Sequence, residues 1–271
     1  MKKQIGITAA ILMALSLAAC SNQSQSSNSN SSASSSKVQK NNTSKSESKT
    51  SESSSSSQES SSQAPEQNRM DNLTAKLRKA LPGMLLPTKD GLGTGSDKLN
   101  VRYTSEGNVN TVYYSVGNTT SDFNASNLKN EKPYAVLKEV KNASESEASD
   151  IINYSPEQQG LPTTKLDDST TATTQGAAGQ KYLQWNKDKY SFVIQASSMM
   201  KQDPTKRGKE VLALVNKYGV PGTTSNGNLH VTLGDSVGSL NTVIAWQDGK
   251  NVYQIKAHDT ETALKMLASL K

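Results

Sequence analysis

The sequence predicts an α+β fold, with an antiparallel sheet built from repeated hairpin–helix units and the helices packed on one face. Segments 181–196 and 243–257 each alternate apolar and polar residues around a short Asp-containing turn, which is typical of a β-hairpin. Each hairpin has a Trp in its first strand, Trp185 or Trp246, and apolar residues at helical spacing after its second. Repetition of such a unit favours one sheet covered by helices.

The remaining elements follow from spacing and from end signals. A first helix carries Met70, Leu73, Leu77 and Leu81, and Pro82-Gly83 ends it. The helices after the two hairpins are predicted at 206–218, ended by Gly219, and at 260–270, with Asp259 as N-cap and Ala268 facing inward. Strands over 99–103, 111–116 and 134–141, followed by a helix over 145–153, form a candidate third copy of the unit.

Residues 1–19 have the pattern of an export signal. Lys2 and Lys3 precede an apolar run from Ile5 to Leu17. As a helix this run is about 20 Å long, which is too short to cross a hydrocarbon core of about 30 Å. The segment therefore predicts a cleaved signal peptide.

The end of this segment, Leu17-Ala18-Ala19-Cys20, resembles the lipobox of bacterial lipoproteins. The resemblance implies that Leu17, Ala18 and Ala19 are recognised by signal peptidase II. It also implies that Cys20 becomes the N-terminus and carries a diacylglyceryl group, with fatty acids such as palmitate. Cys20 is the only cysteine in the chain and stands at the position that the lipobox requires. Two or more acyl chains would hold the protein firmly on the extracytoplasmic face of the membrane.

Residues 20–66 are rich in Ser, with balanced Lys and Glu and almost no apolar residues. Such a composition cannot form a core, so we expect a disordered tether. The expected organisation is therefore a signal peptide over 1–19, the lipidated cysteine and tether over 20–66, and one globular α+β domain over 67–271.

The C-terminal segment carries a second resemblance. Its pattern Trp246-x₆-Tyr253-x-Ile255, followed by the helix that ends the chain, is similar to a Gram-positive domain of unknown function. That domain is distantly similar to the curved-sheet fold of lipoprotein carriers, which implies a curved sheet here. The whole layout resembles the Ser-tethered surface lipoproteins of lactic acid bacteria. Neither resemblance brings catalytic residues or a ligand.

Composition and motifs argue against an enzyme. One Cys and two His exclude the common zinc sites, and we expect no metal and no cofactor. Gly234–Gly238 matches G-x-S-x-G, but a strand-like run follows Ser236 where a hydrolase needs a helix. Gly91, Gly93 and Gly95 lack the Lys of a phosphate-binding loop and indicate a flexible loop. A net charge of +6 is too weak to indicate nucleic acid.

These observations favour a non-catalytic, lipid-anchored module that binds or senses a component of the cell envelope. Its partners would be membrane lipid through Cys20 and either an anionic cell-wall polymer or an envelope protein. Two alternatives stay open: a carrier of an apolar ligand in a curved-sheet cavity, and a cell-wall hydrolase that uses two carboxylates. The rings of Trp185 and Trp246 are candidate ligand contacts, with core packing as the competing interpretation.

Replacing Cys20 with Ser should abolish lipidation, because the thiol is the group that takes the lipid. The test is metabolic labelling of the Cys20→Ser and parent chains with a fatty-acid analogue. We expect label on the parent chain alone. Label that persists on Cys20→Ser would contradict the lipoprotein assignment.

Overall fold

The computed structural model describes residues 65–93, 97–234 and 238–271. Within these ranges the chain forms ten strands, four α-helices and one short 3₁₀ helix. The signal peptide and most of the expected tether lie outside the described residues. No helix in the described part of the chain is long and apolar enough to span a bilayer.

The helices are α1 (Pro65–Ala80), α2 (Glu145–Ile152), α3 (Pro204–Tyr218) and α4 (Thr260–Leu267), with the 3₁₀ helix over Ser126–Asn130. The strands are β1 (Leu99–Glu106), β2 (Val109–Val116), β3 (Ala135–Val140), β4 (Thr163–Lys165), β5 (Thr171–Ala177), β6 (Gln180–Lys187), β7 (Tyr190–Ser197), β8 (Gly227–Thr232), β9 (Thr242–Asp248) and β10 (Asn251–Ala257).

All ten strands belong to one sheet, in the order β1-β2-β3-β10-β9-β8-β7-β6-β5-β4. Every neighbouring pair is antiparallel except β7 and β8, which run parallel and are joined through α3. The last strand, β10, lies between β3 and β9 and thereby joins the first three strands to the rest. The prediction of an α+β fold with a mainly antiparallel sheet is confirmed.

One face of the sheet carries the main hydrophobic core. Helices α1, α3 and α4 cover this face, and their apolar side chains are buried against those of the strands. The helical spacing of Met70, Leu73, Leu77 and Leu81 marks the buried side of α1, as predicted. In α4, Leu264 and Leu267 are buried, whereas Ala268, which was expected to face inward, is exposed.

The two repeated hairpins are β6–β7 and β9–β10, each followed by a helix as predicted. In both, the Trp of the first strand stands opposite an aromatic residue of the second. The Trp185 and Phe192 ring centroids are 5.1 Å apart, and those of Trp246 and Tyr253 are 5.2 Å apart, both stacked. Such a pair adds about 0.5–1.5 kcal/mol beyond the burial of its area.

Helix α2 departs from the prediction that the helices share one face. Its Ala148 and Ile152 pack against Ala245 and Val252, whose side chains point away from the main core. Helix α2 therefore lies on the opposite face, and the segment from β1 to α2 is not a third copy of the hairpin–helix unit. Alternation shows that a strand has two faces, but it does not tell which face a following helix will cover.

Local sequence explains where the helices begin and end. Ser144 and Glu147 form a reciprocal capping box at the start of α2, and Asn153 ends that helix in the left-handed conformation. Asp203 caps α3, whose first residue is a proline. The predicted cap at Asp259 is confirmed, because its side chain accepts a hydrogen bond from the Thr262 backbone N–H.

Gly91, in the loop after α1, packs closely against α4, whereas Gly95 of the expected flexible loop lies outside the described residues. Gly91 is buried, with a positive φ of 75°. A β-carbon added there would lie 2.4 Å from the backbone oxygen of Thr262. Gly91 is therefore required both by its backbone conformation and by the close approach of the two segments.

Gly91→Ala should lower the free energy of unfolding by about 1–3 kcal/mol, because a backbone carbonyl cannot move away as a side chain can. Gly93→Ala is the matched control, since a β-carbon there meets nothing within 4 Å. The control should change stability by less than about 0.5 kcal/mol. Urea unfolding of both variants measures the difference, and equal stabilities would contradict the docking of this loop.

Candidate functional site

Several residues singled out in the sequence lie outside the described residues. These are the peptidase recognition residues Leu17, Ala18 and Ala19, the lipidation residue Cys20, and Ser236 of the G-x-S-x-G pattern. The candidate site described below lies among residues 69–271, whose side chains the structure describes outside 94–96 and 235–237.

The structure places Trp185 and Trp246 in the main core. Their exposed fractions are 3% and 1%, and each ring is stacked on its cross-strand neighbour. Neither ring reaches a surface that a ligand could contact. The two Trp residues therefore pack between the sheet and its helices, and they are not placed to make the expected ligand contact.

Two acidic residues that a carboxylate-based hydrolase could use, Asp167 and Glu147, make local structural contacts instead. Asp167 accepts hydrogen bonds from the backbone N–H groups of Ser169 and Thr170, and the bond from Ser169 is the main cause of its lowered pKa. The pKa of Glu147 is also lowered, first by its bond with the backbone N–H of Ser144. Within the described residues, no group of three or more His, Cys, Asp and Glu side chains is placed to hold a metal ion.

The face of the sheet opposite the main core carries a continuous depression, which we call the trough. It consists of three adjoining hollows of about 570, 330 and 210 Å³. The first two share Gln254, and the last two share Asn153 and His230. The trough crosses the strands from β2 to β6, six strand spacings or about 29 Å.

His230 lies at the centre of the trough, on β8. Val243 and Val193 flank it on the neighbouring strands β9 and β7, and they form an apolar floor. Its Nε2 atom is 3.1 Å from Oε1 of Gln195, which implies a protonated Nε2 in the neutral ring. Burial lowers the pKa of His230, so the ring is neutral at pH 7.

A strap over residues 153–156 bounds one side of the trough, and amide side chains from the sheet hold it there. Asn228 donates to the backbone oxygen of Asn153 at 2.9 Å. Gln184 donates to the backbone oxygens of Ser155 and Pro156, at 3.0 and 2.7 Å. Because these amides are themselves buried, their hydrogen bonds fix the strap firmly against the sheet.

An aromatic ring stands near each end of the trough. Tyr113 on β2 lines the first hollow, and the guanidinium carbon of Arg102 is 3.4 Å from its ring centroid. Tyr182 on β6 lines the last hollow, beside Gln184 and Gln175. Both rings are half-buried, so each presents part of its surface to the trough.

The middle of the trough is lined by uncharged groups that both donate and accept hydrogen bonds. Gln195, Gln254 and His230 are half-buried there, among small apolar side chains. This chemistry suits a ligand with many neutral hydroxyl and amide groups. The trough could not be predicted from the sequence, because its residues come from many strands whose order follows from pairing alone. The polar side of β8 was the available signal.

Protonation of His230 should destabilise the fold. Because its pKa in the folded protein lies below the ordinary 6.5, the unfolded chain takes up the proton at higher pH than the folded chain does. Stability should therefore fall as the pH drops through and below 6.5.

His230→Gln should reduce this loss, because glutamine does not titrate and can still bond to Gln195. Urea unfolding between neutral pH and about pH 5 measures the effect. Gln254→Ala, at a side chain of the same trough that does not titrate, is the control and should keep the pH dependence of the parent. Identical profiles for the parent and His230→Gln would contradict the prediction.

No protein-family model matches the sequence, and neither a curated protein nor a solved structure is detectably similar to it. The lipobox and C-terminal resemblances therefore stay predictions.

Proposed function

We propose that this chain is a lipid-anchored, non-catalytic binding module of the cell envelope, and that its trough binds an extended, uncharged glycan strand. The observation that carries the proposal is the row of half-buried neutral polar side chains along the trough, centred on His230, Gln195 and Gln254. The location comes from the lipobox at Leu17–Cys20, which directs the domain to the outer surface of the membrane.

The dimensions of the trough favour a polymer over a small molecule. A length of about 29 Å exceeds that of a single sugar several-fold, and the hollows are open along the sheet. A glycan presents hydroxyl and amide groups at regular intervals, together with apolar ring faces. The amide side chains of the trough can hydrogen-bond to the hydroxyl and amide groups of the glycan. The rings of Tyr113 and Tyr182 can stack on its apolar ring faces.

The charges support a neutral ligand over an anionic one. Lys138 and Lys256 stand in the first hollow, but Glu106 lies beside them. In the second hollow the charged side chain is that of Asp150, which would repel an anion. A polyanion would gain attraction at one end of the trough and lose it at the centre.

The two alternatives from the sequence have weaker support. A carrier of an apolar ligand needs an apolar concavity, whereas α1, α3 and α4 fill the apolar face of this sheet with packed side chains. A carboxylate hydrolase needs two acidic groups facing one cleft. Asp167 and Glu147 instead make turn and cap contacts. Glu106 and Asp150, the acidic residues of the trough, lie in different hollows.

Sedimentation with purified cell-wall glycan tests the proposal. The parent protein should bind walls stripped of their anionic polymers about as well as intact walls. Gln195→Ala, Gln254→Ala and Tyr182→Ala should each weaken binding by about 0.5–1.5 kcal/mol, roughly 2- to 10-fold in Kd, since each removes one hydrogen bond or ring contact.

Gln158→Ala is the matched control, because Gln158 is an exposed glutamine that does not line the trough. It should bind as the parent does. Loss of binding on stripping the walls would point to the anionic polymer instead. Soluble sugar released during incubation would point to the hydrolase, and equal binding by all variants would remove the trough from the function.

A further inference from the structure

Two adjacent methionines project from one end of the sheet. Met199 and Met200, in the turn between β7 and α3, have exposed fractions of 89% and 53%. Among the described residues, the one other large hydrophobic side chain with comparable exposure is Val116. An isolated exposed apolar residue needs no explanation, but an exposed pair at a protruding turn indicates a contact surface.

The turn that carries the methionines is held in place by several hydrogen bonds. The backbone N–H of Lys201 donates to the backbone oxygen of Ser198, and that of Gln202 donates to Ser197. Oε1 of Gln202 accepts from the Ser197 backbone N–H at 3.0 Å. Several backbone N–H groups of the turn are thus hydrogen-bonded, whereas both methionine side chains are left exposed.

A second turn adjoins the first. The backbone N–H of Ser198 donates to the oxygen of Gly179 at 2.9 Å, and this places the β5–β6 turn beside the methionines. Ala177 and Ala178 of that turn are exposed. We call residues 175–181 and 197–202 together the methionine tip.

The methionine tip is apolar and positively charged. Its two segments, 175–181 and 197–202, contain Lys181 and Lys201 and no acidic residue. Helix α3 begins directly afterwards, with Lys206 exposed in its first turns. The nearest acidic residue along the chain is Asp203, whose carboxylate caps that helix by accepting from the Thr205 backbone N–H at 2.8 Å.

The described chain begins at the same end of the sheet. Arg69, one turn into α1, bonds to the backbone oxygen of Leu99, the first residue of β1. The strand pairings place three residues on one side of the sheet. These are the first residue of β1, Leu99, the first residue of β3, Ala135, and the last residue of β7, Ser197. The segment leading to Cys20 therefore joins the domain on the side that carries the methionine tip.

We propose that the methionine tip contacts the anionic surface of the membrane, with Met199 and Met200 among the lipid headgroups and Lys181 and Lys201 beside lipid phosphates. The proposal rests on the lipid anchoring proposed above. Flexible thioether side chains adapt to an irregular interface, and lysines add attraction to anionic lipid. The contact would orient the domain so that the end of the sheet opposite the methionine tip faces the cell wall.

An environment-sensitive fluorophore on Met199→Cys tests this contact. The lipidated protein is reconstituted into vesicles that contain phosphatidylglycerol, or into vesicles of phosphatidylcholine alone. In lipidated protein the thiol of Cys20 is consumed, so the introduced cysteine is the one that reacts. We expect a blue shift and a several-fold rise in emission with phosphatidylglycerol. The blue shift and the rise in emission should both weaken in high salt, and also when Lys201→Glu is combined with Met199→Cys.

Ser225→Cys is the matched control. Ser225 is exposed in the loop before β8. Gly227, the first residue of β8, pairs with Tyr190, the first residue of β7. Ser225 therefore lies at the end of the sheet opposite to Ser197 and the methionine tip. A fluorophore there should keep its aqueous spectrum on both vesicles. Thermal unfolding of the labelled variants checks that the substitutions leave the fold intact.

The failures of the two proposals are distinguishable. If the parent chain itself takes up the fluorophore, Cys20 is free and both the anchoring and the tip contact are overturned. If the parent is unlabelled but Met199→Cys keeps an aqueous spectrum, the tip contact alone is overturned. A shift that appears without phosphatidylglycerol, rises with protein concentration, or is unchanged by Lys201→Glu would indicate a protein contact and would also overturn it.

Discussion

The position of β10 is the constraint on which the rest of the structure depends. The last strand of the chain lies between β3 and β9, and it pairs with β3 from Val252↔Val140 to Ala257↔Ala135. Without this pairing, β3 and β9 would each present an unpaired edge. The sheet therefore becomes continuous only when residues more than a hundred positions apart meet, which is characteristic of slowly folding topologies.

A buried carboxylate marks this junction. Glu139 on β3 is fully buried and accepts hydrogen bonds from the hydroxyl of Tyr253 at 2.6 Å and from Asn110 at 2.8 Å. Asn251 adds a third donor at 3.3 Å. Two of these three donors, Tyr253 and Asn251, belong to β10, so seating of the last strand satisfies a group that would otherwise be costly to bury. The same junction brings Gln254 beside Ala245 and joins the hollows of the trough.

The helices cover the two faces of the sheet unequally, and the two proposed binding surfaces lie apart as a result. Three helices complete the core on one face, whereas α2 covers only part of the other and leaves the trough open beside it. The methionine tip lies at one end of the sheet, and Gln175 is the residue that it shares with the lining of the trough. A ligand in the trough and a membrane at the tip would therefore contact largely different side chains.

Local features of this protein were determined by the sequence itself. The spacing of Met70, Leu73 and Leu77 marks α1, and single residues such as Asp259 cap helices, because these signals act within a few residues. The predictions of a signal peptide and of lipidation at Cys20 also rest on sequence alone. The tertiary structure decided the strand order, the face that α2 covers, the burial of the two Trp rings and the assembly of the trough. Strand β5 shows why: with Ala172 as its one buried residue, it has no apolar alternation to detect, and pairing with β4 and β6 holds it in the sheet.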